Sequence, residues 1–165
     1  MIVIIFGVAG AGKTTIGELL ARELGWKFYE GDDFHPPANI DKMEQGKPLT
    51  DQDRQPWLEK LRKVVQRVTA ANENAVLACS ALKKKYRDQL QVSSEVKLVF
   101  LRGSRARIAE QLKSRRGHFF DPKLLASQFA DLEEPGTSEN ALTVDLKGEP
   151  EELVERIKEK LMVDC

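Results

Sequence analysis

The sequence predicts an α/β fold, a five-stranded parallel sheet flanked by helices, in a single domain spanning residues 1–165. Two observations carry this. Short apolar runs alternate with stretches of helical periodicity along the whole chain. The first run, Met1 to Phe6, leads directly into Gly7-Val-Ala-Gly-Ala-Gly-Lys-Thr14, which fits G-x-x-x-x-G-K-[ST] at every fixed position. A strand before that motif and a helix after it is the setting in which it cradles phosphate, and it makes the expected fold that of the P-loop NTPases. The glycines let the backbone turn tightly and aim N–H groups inward, and the next helix adds its positive end.

The elements follow in order. Ile2 to Phe6 is a continuous apolar run, as a buried parallel strand requires. Ile16, Leu19, Leu20 and Leu24 give a helix over Lys13 to Leu24, stopped by Gly25. Lys27 to Tyr29 reads as a second strand, ending at Glu30, Asp32 and Asp33. A polar segment with three prolines follows, with a short helix near Ile40 to Gln45. Trp57, Leu58, Leu61, Val64, Val65 and Val68 form one stripe of a long helix over Asp51 to Ala71, and a stripe at that spacing is core. Ala75 to Cys79 is the third strand, Lys83 to Leu90 a basic helix, and Val96 to Leu101 the fourth strand. Helices are expected over Ile108 to Arg116 and Pro122 to Glu133, with Gly117 to Asp121 as a loop between them. Leu142 to Leu146 is the fifth strand, and a last helix runs from Pro150 to Met162. Its early glutamates and late lysines suit the helix dipole.

Composition excludes several classes. Twenty-six basic residues balance 26 acidic ones, so no whole-surface attraction to nucleic acid or anionic membrane is expected. No apolar run is long enough to span a bilayer. Two cysteines do not make a disulfide framework. A cytoplasmic protein is expected.

Ligands of such sheets bind at the carboxyl ends of the strands, where the glycine loop, the Glu30/Asp32/Asp33 cluster and Ser80 all fall. The motif implies a nucleoside triphosphate, with Lys13 reaching the β- and γ-phosphates and the Thr14 hydroxyl holding Mg²⁺. The third strand ends in Ser80, and no carboxylate follows before Asp88. Asn-Lys-x-Asp, the guanine reader of GTPases, is missing. These features favour a compact phosphotransferase. In it Glu30 would serve metal-held water and Asp32 the acceptor, while Asp33 either joins them or is a solvated loop carboxylate.

Further segments sharpen this reading. They are Gly31-Asp-Asp-Phe-His-Pro36, Asn39 with Lys42-Met43, and Gly46-Lys-Pro-Leu-Thr-Asp-Gln-Asp-Arg54 running on to Pro56-Trp57-Leu58. Ala78-Cys-Ser-Ala-Leu-Lys83, Tyr86-Arg87-Asp88, Gly117-His-Phe119, Leu124-Leu125, Ser127-Gln128-Phe129 and Glu133 complete the series. In this order they closely resemble the small P-loop gluconate kinases, relatives of shikimate kinase and the nucleoside monophosphate kinases. The resemblance covers roughly Val3 to Leu161.

It implies transfer of the γ-phosphoryl of ATP, with Mg²⁺, to the 6-hydroxyl of D-gluconate. A mobile lid over about 104–133 and, in many members, a homodimer come with it. Lys13, Asp32 and Arg115 would be catalytic. Gly7, Val8, Ala9, Gly10, Ala11, Gly12, Lys13, Thr14, Thr15, Arg115 and Arg116 would bind nucleotide. Asp32, His35, Arg54, Ser80, Lys83 and Arg87 would bind the acceptor. Thr14 would hold Mg²⁺ directly and Glu30 through water. The residues themselves leave alternatives. Arg54 suits a bidentate carboxylate, or an ion pair with Asp51 or Asp53. Asp32 orients the hydroxyl or caps a loop. His35 donates to a polyol hydroxyl or caps its loop, and Lys83 and Arg87 face either the site or solvent. His118 reads as a packed lid residue and Cys79 as a small buried hydrophobe. The chain departs from the resemblance twice: Gln111 stands where relatives often carry arginine, and Glu30 where they more often carry Asp.

Overall fold

A computed structural model describes residues 1–114 and 122–163. Its sheet holds five parallel strands, β1 (Ile2–Phe6), β2 (Lys27–Glu30), β3 (Ala75–Ala78), β4 (Val96–Arg102) and β5 (Leu142–Asp145), in the order β2-β3-β1-β4-β5. β1 lies at the centre, with Ile2 in register with Ala75 on one side and Val96 on the other. Parallel strands need crossovers, and helices supply them: α1 (Lys13–Leu24), α2 (Pro37–Glu44), α3 (Asp51–Ala70), α4 (Lys84–Leu90), α5 (Arg105–Lys113) and α6 (Pro122–Asp131), with α7 (Pro150–Val163) following the last strand.

All five β1 residues are buried, which is why the run is apolar throughout and does not alternate. Alternation returns in what each face meets. Ile2, Ile4 and Phe6 pack with Trp57, Leu58, Leu61 and Val65 of α3. Val3 and Ile5 pack with Ile16 and Leu20 of α1 and with Leu153 and Ile157 of α7. The sheet is thus a middle layer between two apolar clusters. Among the described residues, no helix is long and apolar enough to cross a membrane.

Element boundaries moved where a cap decided them. α2 opens at Pro37 rather than near Ile40, because proline suits the first helical turn, where its missing N–H costs nothing. α5 begins at Arg105 rather than Ile108, since the Ser104 hydroxyl accepts from the Arg107 N–H at 3.2 Å. α3 starts on a capping box, in which Thr50 accepts from the Asp53 N–H at 3.1 Å and Asp53 accepts from the Thr50 N–H at 2.9 Å. The Lys42 ammonium, 2.6 Å from Asp53, is the main reason its carboxyl is lowered to about 2. This cap fixes the first turn of α3 and with it Arg54, the next residue.

Candidate active site

The loops at the carboxyl ends of β1, β2 and β3 converge on one cleft of about 200 Å³. Ala9, Gly10, Gly12, Lys13 and Thr14 form one wall. Glu30, Asp32 and His35 form a second, Arg54 and Ser80 a third, and Leu124, Ser127 and Gln128 of α6 close it. The glycine loop has the shape its motif requires. Gly10 and Gly12 lie at φ of 82° and 92°, a region side chains disfavour, and a Cβ on Gly10 would sit 2.6 Å from Leu112. Gly12 caps α1, so the helix opens at the floor of the cleft. The Lys13 ammonium donates to the Val8 carbonyl at 2.9 Å, along the rim of the loop.

β2 delivers the acidic wall. After Glu30 the chain enters a 3₁₀ turn, Gly31–Phe34, that carries Asp32. The turn lies so close to β3 that a Cβ on Gly31 would stand 2.5 Å from the Ala78 carbonyl oxygen. The Trp57 indole N–H donates to the Gly31 carbonyl at 2.8 Å, tying the turn to α3. The Thr14 hydroxyl donates to Glu30 Oε2, and the Asp32 N–H reaches Oε1 at 3.3 Å. Burial raises the Glu30 pKa above the usual carboxylate value, opposed by the Thr14 hydrogen bond. A hydroxyl and a carboxylate side by side are hard oxygen donors of the kind Mg²⁺ takes when it arrives on nucleotide phosphates. Among the described residues no group of three or more His, Cys, Asp or Glu could cage a metal.

Asp32 reaches into the open cleft, its side chain 74% exposed. His35 stands behind it, buried and stacked on Trp57 at 4.4 Å and 8°. The surrounding network sets its tautomer. Asn39 Nδ2 donates to the Asp53 carbonyl at 2.8 Å, which identifies that atom as the amide nitrogen. The same nitrogen lies 3.2 Å from His35 Nδ1, which therefore accepts. The proton of neutral His35 sits on Nε2, 4.0 Å from Asp32 Oδ1 and on the cleft side. Burial lowers the pKa of His35, so the neutral form prevails at neutral pH despite the partial offset from Asp32.

Arg54 is buried on the far wall. Nη1 donates to the Tyr86 phenol oxygen at 3.0 Å and Nη2 to Asp131 at 3.1 Å. Its ion pair is thus with Asp131, not Asp51 or Asp53. Asp51 instead gathers Lys83 at 2.9 Å, Lys85 at 2.6 Å and the Tyr86 hydroxyl.

The structure places the remaining expected residues as follows. Thr15 lines a second cavity of about 190 Å³ behind the glycine loop, between Gln111 and the Leu146, Gly148, Pro150 and Leu153 segment. Gly7, Val8 and Ala11 are buried in the loop itself. Lys83 does not line the cleft and is spent on Asp51. Arg87 is a correction. It is 0% exposed, and its five N–H donors go to Glu139 twice and to the carbonyls of Ala81, Leu82 and Glu133, so none remains for a substrate. Arg115, Arg116 and His118 lie outside the described residues. Sequence reasoning gave no role to Gln128, whose side chain accepts from the Ala9 N–H at 2.6 Å, nor to Asn39, which orients His35. Both stood in the segments that carried the resemblance, but nothing local in the sequence said what they would touch.

Strand order, phosphate loop and the acidic turn across from it define a P-loop kinase. Comparison with known proteins narrows the class. A family model described as shikimate kinase matches residues 9–162. A gluconokinase of Gluconobacter oxydans is 43% identical over 93% of this chain and 87% of its own. Among solved structures, a sugar kinase from Janibacter sp. superposes with a TM-score of 0.88 at 41% identity, covering 94% of this chain and 91% of that one. A gluconokinase from Sinorhizobium meliloti gives 0.82 at 40% identity over 98% and 95%. The chain belongs to the gluconokinase family, relatives of shikimate kinase, and is an ATP-binding kinase of carbohydrate metabolism.

Proposed function

We propose that the protein transfers the γ-phosphoryl group of ATP to the 6-hydroxyl of D-gluconate, giving 6-phosphogluconate and ADP. One observation carries the reading: Asp32 and Arg54 line the same cleft as the phosphate loop, from different walls. An open-chain sugar acid has a carboxylate at one end and a primary hydroxyl at the other, so it needs a cation and a hydrogen-bond acceptor set apart. Arg54 supplies the first with a planar fork suited to carboxylate. Asp32 supplies the second, accepting from the attacking hydroxyl and taking its proton as the bond to phosphorus forms. The His35 Nε2–H and the Ser80 hydroxyl offer donors to the polyol between them.

On the nucleotide side the loop N–H groups and Lys13 hold the phosphates in line with that hydroxyl. Thr14 and, through water, Glu30 would hold Mg²⁺, which when bound neutralises charge on the β- and γ-phosphates. The second cavity, on the other side of Gly10 and Gly12, is where the nucleoside would extend. Arg115 would steady the transferring phosphoryl, with Arg116 beside it. The test is phosphorus NMR of the product formed from ATP, Mg²⁺ and gluconate. A phosphomonoester on carbon 6 is expected. Absence of gluconate-dependent ADP release, or faster turnover of shikimate or another sugar acid, would overturn the assignment.

A further inference from the structure

Helix α6 makes two polar contacts in the cleft, and both involve groups assigned to the substrates. Gln128 Oε1 accepts from the Ala9 N–H at 2.6 Å. A backbone N–H can only donate, so the amide oxygen is the atom that faces it. Ala9 lines the acceptor cleft alone, whereas Gly10 and Gly12 line both cavities. A triphosphate running from the second cavity into the cleft therefore brings its terminal phosphate to Ala9. One turn on, Asp131 Oδ2 accepts from Arg54 Nη2 at 3.1 Å. Residues three apart share a helix face, so one face of α6 carries both contacts.

We infer that Gln128 and Asp131 are stand-ins for the two anionic groups of the substrates, the γ-phosphate and the acceptor carboxylate. They make α6 the element through which nucleotide and acceptor sense each other. This rests on the reading of the cleft given above. The chemistry suits displacement. A neutral amide oxygen on an N–H is a weaker partner than a phosphate oxygen, because charge-assisted hydrogen bonds are about twice as strong. Asp131 is only partly buried, so it can turn to water when another carboxylate takes Arg54. A terminal phosphate that releases Gln128 frees the helix to release Asp131 as well. Binding of the second substrate then breaks one contact fewer, which is positive coupling, reciprocal by linkage.

Calorimetry with ADP, the β,γ-imido analogue of ATP, and gluconate tests this. The expected result is that the imido analogue tightens gluconate binding roughly two- to tenfold, the range one neutral hydrogen bond represents, while ADP, which has no γ-phosphate, does not. In Gln128→Ala the ratio of ADP to analogue dissociation constants rises by a similar factor, and the gluconate affinities with ADP and with the analogue converge. Asp131→Asn tightens gluconate without nucleotide. Equal effects of ADP and analogue on gluconate in the unaltered protein, or an unchanged nucleotide ratio in Gln128→Ala, overturn the inference. Failure of ADP or gluconate to bind at all overturns the reading of the cleft instead. Thermal unfolding of each variant separates a misfolded protein from a true result.

Discussion

The Arg87 guanidinium and the Glu139 carboxylate meet side-on within the protein, Nε to Oε1 at 2.8 Å and Nη2 to Oε2 at 3.1 Å. The remaining Arg87 donors hold the Ala81 and Leu82 carbonyls, directly after Ser80, and the Glu133 carbonyl. Removing one partner of a buried pair leaves the other charge uncompensated. Arg87→Met is therefore expected to cost about 3–5 kcal/mol, measured by urea unfolding, and Glu139→Gln less, since the amide still accepts one hydrogen bond. Arg87 lowers the Glu139 pKa below its ordinary 4.5. The unfolded chain then binds the proton more readily. The pair's contribution is fully present above 4.5 and lost as pH falls below it towards the folded value. Acid unfolding that is unchanged in Glu139→Gln would contradict this.

Asp32 touches the attacking hydroxyl in the proposed reaction and enters the cleft from the turn after β2, not from the phosphate loop. Asp32→Asn is expected to keep ATP affinity within a factor of about two. It should lower kcat by roughly 10²-fold or more, the scale of a lost general base. Steady-state kinetics with titrated nucleotide decides it. A large loss of ATP affinity would place Asp32 on the nucleotide side.

Arg54 lines the cleft, with Nη1 held by Tyr86 and Nη2 by Asp131, the group an acceptor carboxylate would replace. Arg54→Lys keeps the charge and loses the fork. A charge-assisted hydrogen bond is worth about 1.5–3 kcal/mol, so KM for gluconate should rise roughly 10- to 100-fold, with KM for ATP little changed. A rise confined to ATP would contradict the assignment.

His35 is buried against Trp57, and that burial holds its pKa below 6.5. Below 6.5 the unfolded chain takes up a proton that the folded imidazole resists, so stability falls as pH drops from 6.5 towards the folded value. Proton NMR of the imidazole reads the midpoint directly. The chain has two histidines, so His118→Gln leaves the His35 signal alone. A midpoint at or above 6.5 would contradict the structure.

Cys79 follows β3 and is buried, which pushes its thiol up to about 12. In Cys165→Ser the remaining thiol should resist a disulfide reagent at pH 8 until denaturant is added. Prompt labelling of the folded protein would show an open path to it.

Much of this molecule was written in local pattern. Burial on both faces forces β1 to be apolar at every position, and a tight turn around phosphate forces glycine at 10 and 12. The helices announced themselves through stripes such as Trp57 to Val68, and the acidic turn followed from where β2 ends. What no local pattern carried was the partner of each charged side chain. Arg54 and Arg87 both read as cations on helices near the sheet edge. Sequence could not say that Glu139, 52 residues on, would take up two donors of one, while the other kept its face to the cleft. The same holds for Gln128 against Ala9, 119 residues apart, and for Asn39 turning His35. Periodicity and steric rules act between neighbours in the chain, so the sequence by itself determined the elements, their order and the phosphate loop. Which polar group meets which is decided by distances across the folded interior, and only the tertiary structure decided that.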